Sequence, residues 1–413
     1  MREMKDSGLQ WAGDIPQYWN IAKGKHFMAV LERPVRDDDN VITCFRDGEV
    51  TLRSNRREDG FTVATVEAGY QGIEPGDLVV HGMDGFAGAI GISDSRGKGT
   101  PALNVLSCSE NKKYIMYLLR AMAYTEVFMA LSTGIRVRTC DTNWKKLKSL
   151  DYLIPPADEQ QCIADFLDAK CAEIDALTAD IQTQIDTLEQ YKRSVITETV
   201  TKGLNPNAEM KDSGIQWIGN MPAHWDVVRG KYILHYMQKP VREDDGVITC
   251  FRDGEVTLRS NRREEGFTMS DKEIGYQGID VGDLVVHGMD GFAGSIGISD
   301  SRGKASPVLN VLDTDQCKRY IMYYLRSMAY SDVFLALATG IRVRSCDLRW
   351  NKLADLSYPV PPLDEQKAIV EHIDAVLAKA DAVISDKKAQ LATLDDYKKS
   401  LIFEYVTGKK EVV

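Results

Sequence analysis

Two long stretches of the chain carry an apolar heptad pattern that no Pro or Gly interrupts, from Asp158 to about Thr201 and from Asp364 to about Thr407. Stripe residues recur at alternating spacings of four and three, which is typical of a helix that buries one face against another helix. Each helix would be roughly 60–65 Å long, and since one alone would be marginal, we expect the two to pair. The stripe positions are Leu167, Cys171, Ile174, Thr178, Ile181, Ile185, Leu188, Lys192 and Val195, then Ile373, Leu377, Ala380, Ile384, Lys387, Leu391, Leu394, Lys398 and Leu401.

The helices belong to a repeat that covers most of the chain. The segment 5–8 (Lys-Asp-Ser-Gly) returns at 211–214, an offset of 211 − 5 = 206 residues. The order is domain, helix, domain, helix, so a second helix that pairs along the first must run antiparallel to it. We predict an α+β fold: two homologous α/β domains separated by a pair of long antiparallel coiled-coil helices, with a pseudo-two-fold axis. The predicted boundaries are 1–155 for the first domain, 156–205 for the central helix, 206–361 for the second domain and 362–413 for the last helix.

Shorter patterns predict the elements of each domain. A Trp-rich arm over residues 1–20 precedes strands at 41–45 and 50–52, joined by a turn at Asp47-Gly48. Further strands are expected at 78–81, 89–92 and 152–154, and one helix from Lys112 to Leu131. Asp158 is the expected N-cap of the first long helix, with Gln161 at the capping-box position.

Charge and composition leave several classes of partner open. The net charge is −10, yet residues 156–205 alone hold four basic and ten acidic residues, so the acidity lies disproportionately in the first long helix. The domains are near neutral, and DNA binding is therefore not excluded. No apolar run is long enough for a membrane helix, and the eight Cys form no metal-ligand motif, so we expect a cytoplasmic protein with free thiols.

Arginine clusters are the best candidates for a binding site. Arg suits bidentate contacts to phosphate or guanine, and Asn suits adenine edges. The alternative for the first cluster is a solvated surface with ion pairs to Asp47, Glu49, Glu58 and Asp59, and for the others an exposed turn. The candidate DNA-binding residues are Arg46, Arg53, Asn55, Arg56, Arg57, Arg96, Lys98, Arg136 and Arg138, and their repeats Arg252, Arg259, Asn261, Arg262, Arg263, Arg302, Lys304, Arg342 and Arg344.

Catalytic motifs are not found. His81 with Asp84, repeated as His287 with Asp290, could be an acid–base pair, but a packed His at a strand end is the favoured interpretation. No Walker loop, GxGxxG after a strand, HExxH or GxSxG occurs. We therefore predict no catalytic residue and no metal site in this chain.

Three motifs, each present twice, resemble those of the DNA-specificity subunits of type I restriction-modification systems. The first is the arm, with Met4-Lys5-Asp6-Ser7-Gly8, Trp11, Ile15-Pro16 and Trp19 in one copy and Met210 to Gly214, Trp217, Pro222 and Trp225 in the other. The second is Ile154-Pro155-Pro156 with Glu159-Gln160, and Val360-Pro361-Pro362 with Glu365-Gln366. The third ends each helix, from Tyr191 to Thr201 and from Tyr397 to Lys409.

The resemblance implies a role without catalysis. Each domain would be a target-recognition domain reading half of a bipartite double-stranded DNA sequence. The helices would space the halves and dock two methyltransferase subunits, which bind S-adenosylmethionine and methylate adenine. Restriction subunits with ATP- and Mg-dependent translocase activity would join them. Because the recognition loops of this chain are near copies, we expect inverted, equal half-sites. The alternatives are a coiled-coil protein adaptor without DNA binding and, third, a hydrolase using His81 and Asp84.

Overall fold

The computed structural model describes residues 2–56, 68–130, 142–262, 274–337 and 348–412. The chain forms two compact units, Met1–Ile181 with Lys388–Val413, and Gln182–Lys387. Each unit thus combines one globular domain with the start of the long helix that follows it and the end of the other long helix.

The first unit contains twelve named strands and three short helices before its long helix. The strands are β1 (Met4–Asp6), β2 (Asp14–Pro16), β3 (Asn20–Lys23), β4 (Met28–Val30), β5 (Ile42–Cys44), β6 (Val50–Leu52), β7 (Gln71–Ile73), β8 (Leu78–His81), β9 (Ile90–Ile92), β10 (Gly97–Gly99), β11 (Leu103–Cys108) and β12 (Asp151–Ile154). The helices are α1 (Lys112–Tyr124), α2 (Val127–Ala130), α3 (Trp144–Leu147) and the long α4 (Ala157–Lys202).

The second unit repeats this order. Its strands are β13 (Met210–Asp212), β14 (Asn220–Pro222), β15 (Asp226–Arg229), β16 (His235–Met237), β17 (Ile248–Cys250), β18 (Val256–Leu258), β19 (Gln277–Ile279), β20 (Leu284–His287), β21 (Ile296–Ile298), β22 (Gly303–Ala305), β23 (Leu309–Asp313) and β24 (Ser357–Val360). Its helices are α5 (Lys318–Tyr330), α6 (Val333–Ala336), α7 (Trp350–Asp355) and the long α8 (Leu363–Val406).

Named strands pair only antiparallel within the described residues. The largest sheet has the order β4-β11-β8-β9 in the first unit and β16-β23-β20-β21 in the second. Inside it, Leu78, Val79 and Val80 of β8 are fully buried, because β8 has a strand on either side and α1 packs over the sheet. The predicted α+β class is confirmed, as is the β5–β6 hairpin, whose register pairs Thr43 with Thr51.

One buried tryptophan anchors the arm in each unit. β1 and β2 form a hairpin, and Trp19, which follows it, is fully buried. The indole Nε1–H of Trp19 donates to Glu159 at 3.0 Å. Trp225 is equally buried in the second unit, but its Nε1 has no partner among the described residues, because Glu365 bonds His224 at 2.8 Å instead.

The long helices run antiparallel inside each unit, as the repeat order predicted. In the first unit Lys398 Nζ lies 2.6 Å from Asp175 Oδ1, and the rings of Phe166 and Tyr405 are 4.4 Å apart. In the second unit Lys192 Nζ lies 2.6 Å from Asp381 Oδ1. Residues near the start of α4 thus contact residues near the end of α8, and residues further along α4 contact earlier residues of α8, which is the antiparallel arrangement.

The stripe predicted from the heptads is the buried face of these helices. Leu167, Cys171 and Ile174 are buried with Leu401 in the core of the first unit. In the second unit Ile373 is buried and Leu377 packs against the core, but at the end of the first stripe the buried residue is Ile196 and not the predicted Val195. Tyr114 links the domain to the end of α8. Its buried hydroxyl lies 3.0 Å from the carbonyl oxygen of Leu153 in β12 and 3.2 Å from that of Val406, the last residue of α8, and can donate to either.

Two local predictions were wrong. The helix expected from Lys112 to Leu131 ends at Tyr124, because Glu126 adopts a left-handed φ of 60° before α2 begins. The first long helix begins at Ala157, so Asp158 lies inside its first turn instead of capping it. Gln161 makes no capping box, since its side chain bonds Asp165 and Asn111.

Candidate nucleic-acid interface

The best-exposed candidate arginines lie on and beside the β5–β6 hairpin. We call Arg46, Asp47, Glu49, Arg56 and Asp84 the Arg46 cluster. Arg46 stands in the hairpin turn with its side chain 67% exposed, and its Nη2 lies 2.8 Å from Asp84 Oδ1. Arg56 Nη1 reaches Asp47 at 2.6 Å and Glu49 at 3.0 Å. The cluster therefore displays guanidinium groups whose orientation is fixed by carboxylates.

The second unit carries the same arrangement, which we call the Arg252 cluster. Its members are Arg252, Asp253, Glu255, Arg262 and Asp290. The Arg252 side chain is 65% exposed and lies 3.1 Å from Asp290, while Arg262 reaches Asp253 at 2.6 Å and Glu255 at 3.0 Å. The geometry of both units thus agrees to a few tenths of an ångström.

Aromatic rings support one guanidinium in each cluster. Arg56 lies 4.3 Å above the ring of Phe45, and Arg262 lies 4.2 Å above that of Phe251. Stacking and ion pairing together hold a planar, multiply donating group in one plane, which is the geometry that bidentate recognition needs.

Arg53 and Asn55 bond their own hairpin. Arg53 Nε donates to Thr43 Oγ1 at 3.2 Å, and Asn55 Nδ2 donates to Thr51 Oγ1 at 2.8 Å. Arg259 and Asn261 repeat these bonds to Thr249 and Thr257 at the same distances. Both residues therefore lie beside the cluster, with part of their hydrogen-bonding capacity committed to the strands.

A buried arginine that sequence reasoning missed holds the turn from below. Arg120 of α1 donates from Nε to the carbonyl of Ile90 at 2.8 Å and from Nη2 to that of Gly48 at 2.9 Å. Gly48 has a φ of 88°, and a Cβ there would lie 1.9 Å from Arg120 Nη2. The single cation within the apolar pattern of this helix was the signal that could have identified it. Arg326 makes the same two bonds in the second unit.

The alternative interpretation of Arg96 and Lys98 as residues of an exposed turn does not hold in the structure. Lys98 and the flanking glycines form strand β10. Arg96 is mostly buried, with Nε 3.0 Å from Asp39 and a second ion pair to Glu74. Arg302 pairs with Asp245 at 2.9 Å, and Lys304 lies in β22. Lys98 and Lys304 therefore lie in strands, and Arg96 and Arg302 immediately precede those strands.

Six further candidates lie outside the described residues. They are Arg57, Arg136, Arg138, Arg263, Arg342 and Arg344. Their assignment to the interface stays a prediction.

His81 shows the geometry of a turn residue. Its Nδ1 accepts the backbone N–H groups of Met83 at 3.2 Å and Asp84 at 3.1 Å, and burial lowers its pKa below the usual value. His287 does the same in the second unit, with its pKa also lowered by burial. Because Nδ1 accepts two backbone hydrogen bonds, it carries no proton and the imidazole is neutral. This agrees with the interpretation of His81 as a packed histidine.

The described part of the chain carries neither a metal-binding cluster nor a membrane-spanning helix. No group of three or more His, Cys, Asp or Glu side chains there could hold a metal ion. The helices of that part include none that is both long and apolar enough to cross a bilayer. The described cysteines are free, and burial raises the pKa of Cys44 to about 12.

Known proteins resemble the chain over nearly its full length. A Methanocaldococcus jannaschii protein named as the type I restriction enzyme MjaX specificity subunit is 24% identical over 97% of this chain and 95% of its own. The EcoKI specificity subunit of Escherichia coli strain K12 is 20% identical over 96% of this chain and 90% of its own. The StySPI specificity subunit of Salmonella potsdam is 19% identical over the same shares. No protein-family model matches the sequence.

A solved structure shares the fold. A chain from work on complex assembly and conformational transition of the type I R-M system superposes with a TM-score of 0.65 at 12% identity, covering 96% of this chain and 99% of that one. The relatives are named as specificity subunits of these enzymes, in agreement with the expectation that the chain is not a catalytic subunit. The resemblance drawn from the motifs is thereby confirmed: the chain is a relative of the specificity subunits of type I restriction-modification systems.

Proposed function

We propose that the chain is the DNA-recognition subunit of a type I restriction-modification complex and binds a bipartite double-stranded target. The observation that carries the proposal is the recurrence of one solvent-facing arginine cluster, with the same partners and distances, in both units. The similarity to specificity subunits along the whole chain supports it.

Electrostatics favours Arg46 and Arg252 as the first contacts to DNA. Each is about two-thirds exposed and holds one carboxylate, so a phosphate can compete for the guanidinium at little cost. Arg56 and Arg262 have two carboxylate partners each and are more tightly fixed. They are better placed to read a base edge than to neutralise the backbone.

We further propose that the long helices dock two methyltransferase subunits. Leu177 and Tyr397 are exposed near the Asp175–Lys398 pair of the first unit. Tyr191 and Val383 are exposed near the Lys192–Asp381 pair of the second. Exposed apolar pairs on otherwise polar helix surfaces are typical of partner contacts, and one pair in each unit fits two identical partners.

In this proposal the partners supply the chemistry. The methyltransferase subunits bind S-adenosylmethionine and methylate adenine, and restriction subunits bind ATP and Mg. The present chain, in the cytoplasm with its DNA, contributes target choice and spacing.

The test uses the chain assembled with the methyltransferase encoded beside it. Binding to target duplex is measured by fluorescence anisotropy at several salt concentrations. We expect Arg46→Ala with Arg252→Ala to weaken binding by more than about 1 kcal/mol and to reduce the salt slope. The matched control is Arg36→Ala with Arg242→Ala, which removes equally repeated arginines from a different loop.

The adaptor alternative makes the opposite prediction. A coiled-coil adaptor would retain the methyltransferase in a pull-down but show no duplex binding above that of the methyltransferase alone. That result would exclude the DNA-recognition role.

A further inference from the structure

The two domains differ where the edge strand of the main sheet faces a tryptophan. In the second unit Tyr236 of β16 stacks on Trp350, with ring centroids 5.8 Å apart and planes 28° apart. The equivalent residue of the first unit is Val30 of β4 (30 + 206 = 236), and the equivalent tryptophan is Trp144. Both edge residues occupy the same register, Val30 opposite Leu106 and Tyr236 opposite Leu312.

In the first unit an open cavity lies beside Val30 and Trp144. It measures about 560 Å³, and its walls include Val30, Trp144, Tyr70, Gln71 and Arg33. That volume lies in the usual range of small-molecule sites. The second unit shows how the space can be filled, because there the protein's own aromatic ring lies against the tryptophan.

The backbone at the tryptophan is held by a partly buried amide. Asn104 Oδ1 accepts the backbone N–H of Trp144 at 3.1 Å, and its Nδ2 donates to the carbonyls of Val80 and Thr142 at 3.2 and 3.1 Å. Asn310 makes the matching Nδ2 bonds in the second unit. The aromatic wall is therefore pre-organised.

Polar groups in the cavity walls indicate which kind of ligand ring would fit. Gln71 donates Nε2 to Leu103 O at 2.9 Å, which leaves its Oε1 with no partner among the described residues. Its counterpart Gln277 is buried with an unpartnered Oε1 as well. An acceptor of this kind matches an amino or ring N–H group. Arg33, although paired with Asp77, adds a cation suited to a phosphate.

We propose that this cavity binds a nucleobase-type heterocycle, stacked on Trp144 in the place that Tyr236 takes on Trp350. Such a ring gains stacking area from the tryptophan and donates a hydrogen bond to Gln71 Oε1. The ring can come from an unpaired base of a DNA strand or from a free nucleotide. The site goes beyond the proposed function, since duplex recognition by the Arg46 and Arg252 clusters does not require it.

The test uses the full chain without methyltransferase or duplex. The probes are 2-aminopurine deoxyriboside monophosphate and a single-stranded tetranucleotide with one internal 2-aminopurine, whose fluorescence is quenched on stacking. Wild-type protein should quench with one site per chain. Val30→Tyr fills the cavity and should weaken binding at least tenfold, whereas Tyr236→Val should raise the stoichiometry to two.

Controls keep the outcome decisive. Val30→Ile leaves room for a ring and should bind as wild type, and Tyr236→Phe keeps the second unit filled and should leave the stoichiometry at one. Melting temperatures verify that each variant folds. Tighter binding of the tetranucleotide identifies a strand base as the source, and equal binding identifies a free nucleotide.

Two results would overturn the proposal: no quenching by wild-type protein, or unchanged quenching by Val30→Tyr. Neither result bears on duplex binding by the assembled complex, so failure here is distinguishable from failure of the proposed function.

Discussion

Glu126 and Asp332 occupy the same position in the repeat and adopt left-handed backbone angles, with φ of 60° and 56°. Both side chains are exposed, so nothing in the core requires them. A non-glycine residue in this conformation costs about 1–2 kcal/mol, and Asp tolerates it better than Glu. The strain lies where α1 turns into α2, immediately before segments that hold candidate DNA-binding arginines.

We expect Glu126→Gly to raise the free energy of unfolding by about 0.5–1 kcal/mol, because glycine adopts a positive φ without a Cβ clash. Asp332→Gly should give a smaller gain. Calorimetric melting of the full chain measures both. Glu126→Ala is the control, since Ala stays strained there; an equal gain from Ala would show that charge, and not backbone angle, is responsible.

His81 and His287 should make stability depend on pH. Burial lowers the pKa of each in the folded chain below the ordinary 6.5, so the unfolded chain takes up protons more readily. Their contribution to stability is complete above pH 6.5 and is lost as the pH falls from 6.5 through the folded pKa.

The variant His81→Asn with His287→Asn keeps an acceptor for the turn but removes the titration. Its melting temperature should fall less than that of wild type between pH 7.5 and pH 5.5. His26→Asn, at an exposed histidine outside the turn, is the control. If melting temperature fell with pH as steeply in His81→Asn with His287→Asn as in wild type, other groups would be responsible for the pH dependence.

At the scale of elements, each stripe contains a lysine that bonds across to the other helix. Lys192 with Asp381 and Lys398 with Asp175 are one pair repeated, since both members shift by 206 residues. The lysine side chains are only 19% and 18% exposed. A polar residue in an apolar stripe fixes register and direction at some cost in stability.

Charge reversal tests this pair. Lys192→Glu places a carboxylate beside Asp381 and Glu189, and should lower the free energy of unfolding by about 1 kcal/mol; the double variant with Asp381→Lys should recover most of it. Lys170→Glu, on an exposed face of the same helix, is the control and should cost less. Lack of recovery in the double variant would mean that the pair does not set the register.

The β5–β6 hairpin shows what a turn motif predicts and what it does not. Asp47-Gly48 predicted the turn, and the strands formed where expected. Glycine is needed at position 48 because of contacts with distant parts of the chain. Arg120 occupies the space that a Cβ at Gly48 would take, and the turn lies against Gly91 of β9. Neither contact can be derived from local pattern, because α1 and β9 are distant in sequence.

At the scale of the molecule, each unit is built from both halves of the chain. The first unit includes the N-terminal arm and the end of α8, where Lys409 Nζ donates to Ala12 O at 2.9 Å and Arg2 lies 3.2 Å from Glu411. The two ends of the described chain therefore meet in the first unit. The arrangement follows from the antiparallel pairing of the long helices. Because α8 runs back along α4, its end returns to the first domain.

The equality of the two arginine clusters predicts the form of the target. If the predicted two-fold relation holds, equal clusters read the same short sequence on opposite strands, and the target is an inverted repeat with a spacer. Methylated-motif mapping of DNA modified by the assembled complex measures this. Two unrelated half-sites would contradict the prediction, and equal half-sites in direct orientation would contradict the two-fold relation.

The sequence by itself determined the repeat, the α+β class, the long helices and their buried stripe. Those features depend on spacing along the chain, and spacing is visible without coordinates. The arginines could be named as candidates for the same reason, but their division into two groups could not: Arg46 faces solvent, whereas Arg96 is mostly buried against Asp39.

Only the tertiary structure decided which charges are displayed, which support the fold and where a cavity opens. Arg120 is a support because α1 packs across a hairpin that lies about 70 residues earlier, at Gly48. The cavity beside Trp144 is lined by Val30, whereas in the other copy Tyr236 stacks on the matching tryptophan. The placement of Arg120 and of the cavity depends on contacts between segments that are distant in sequence. A local sequence pattern carries no information on the free energies of such contacts.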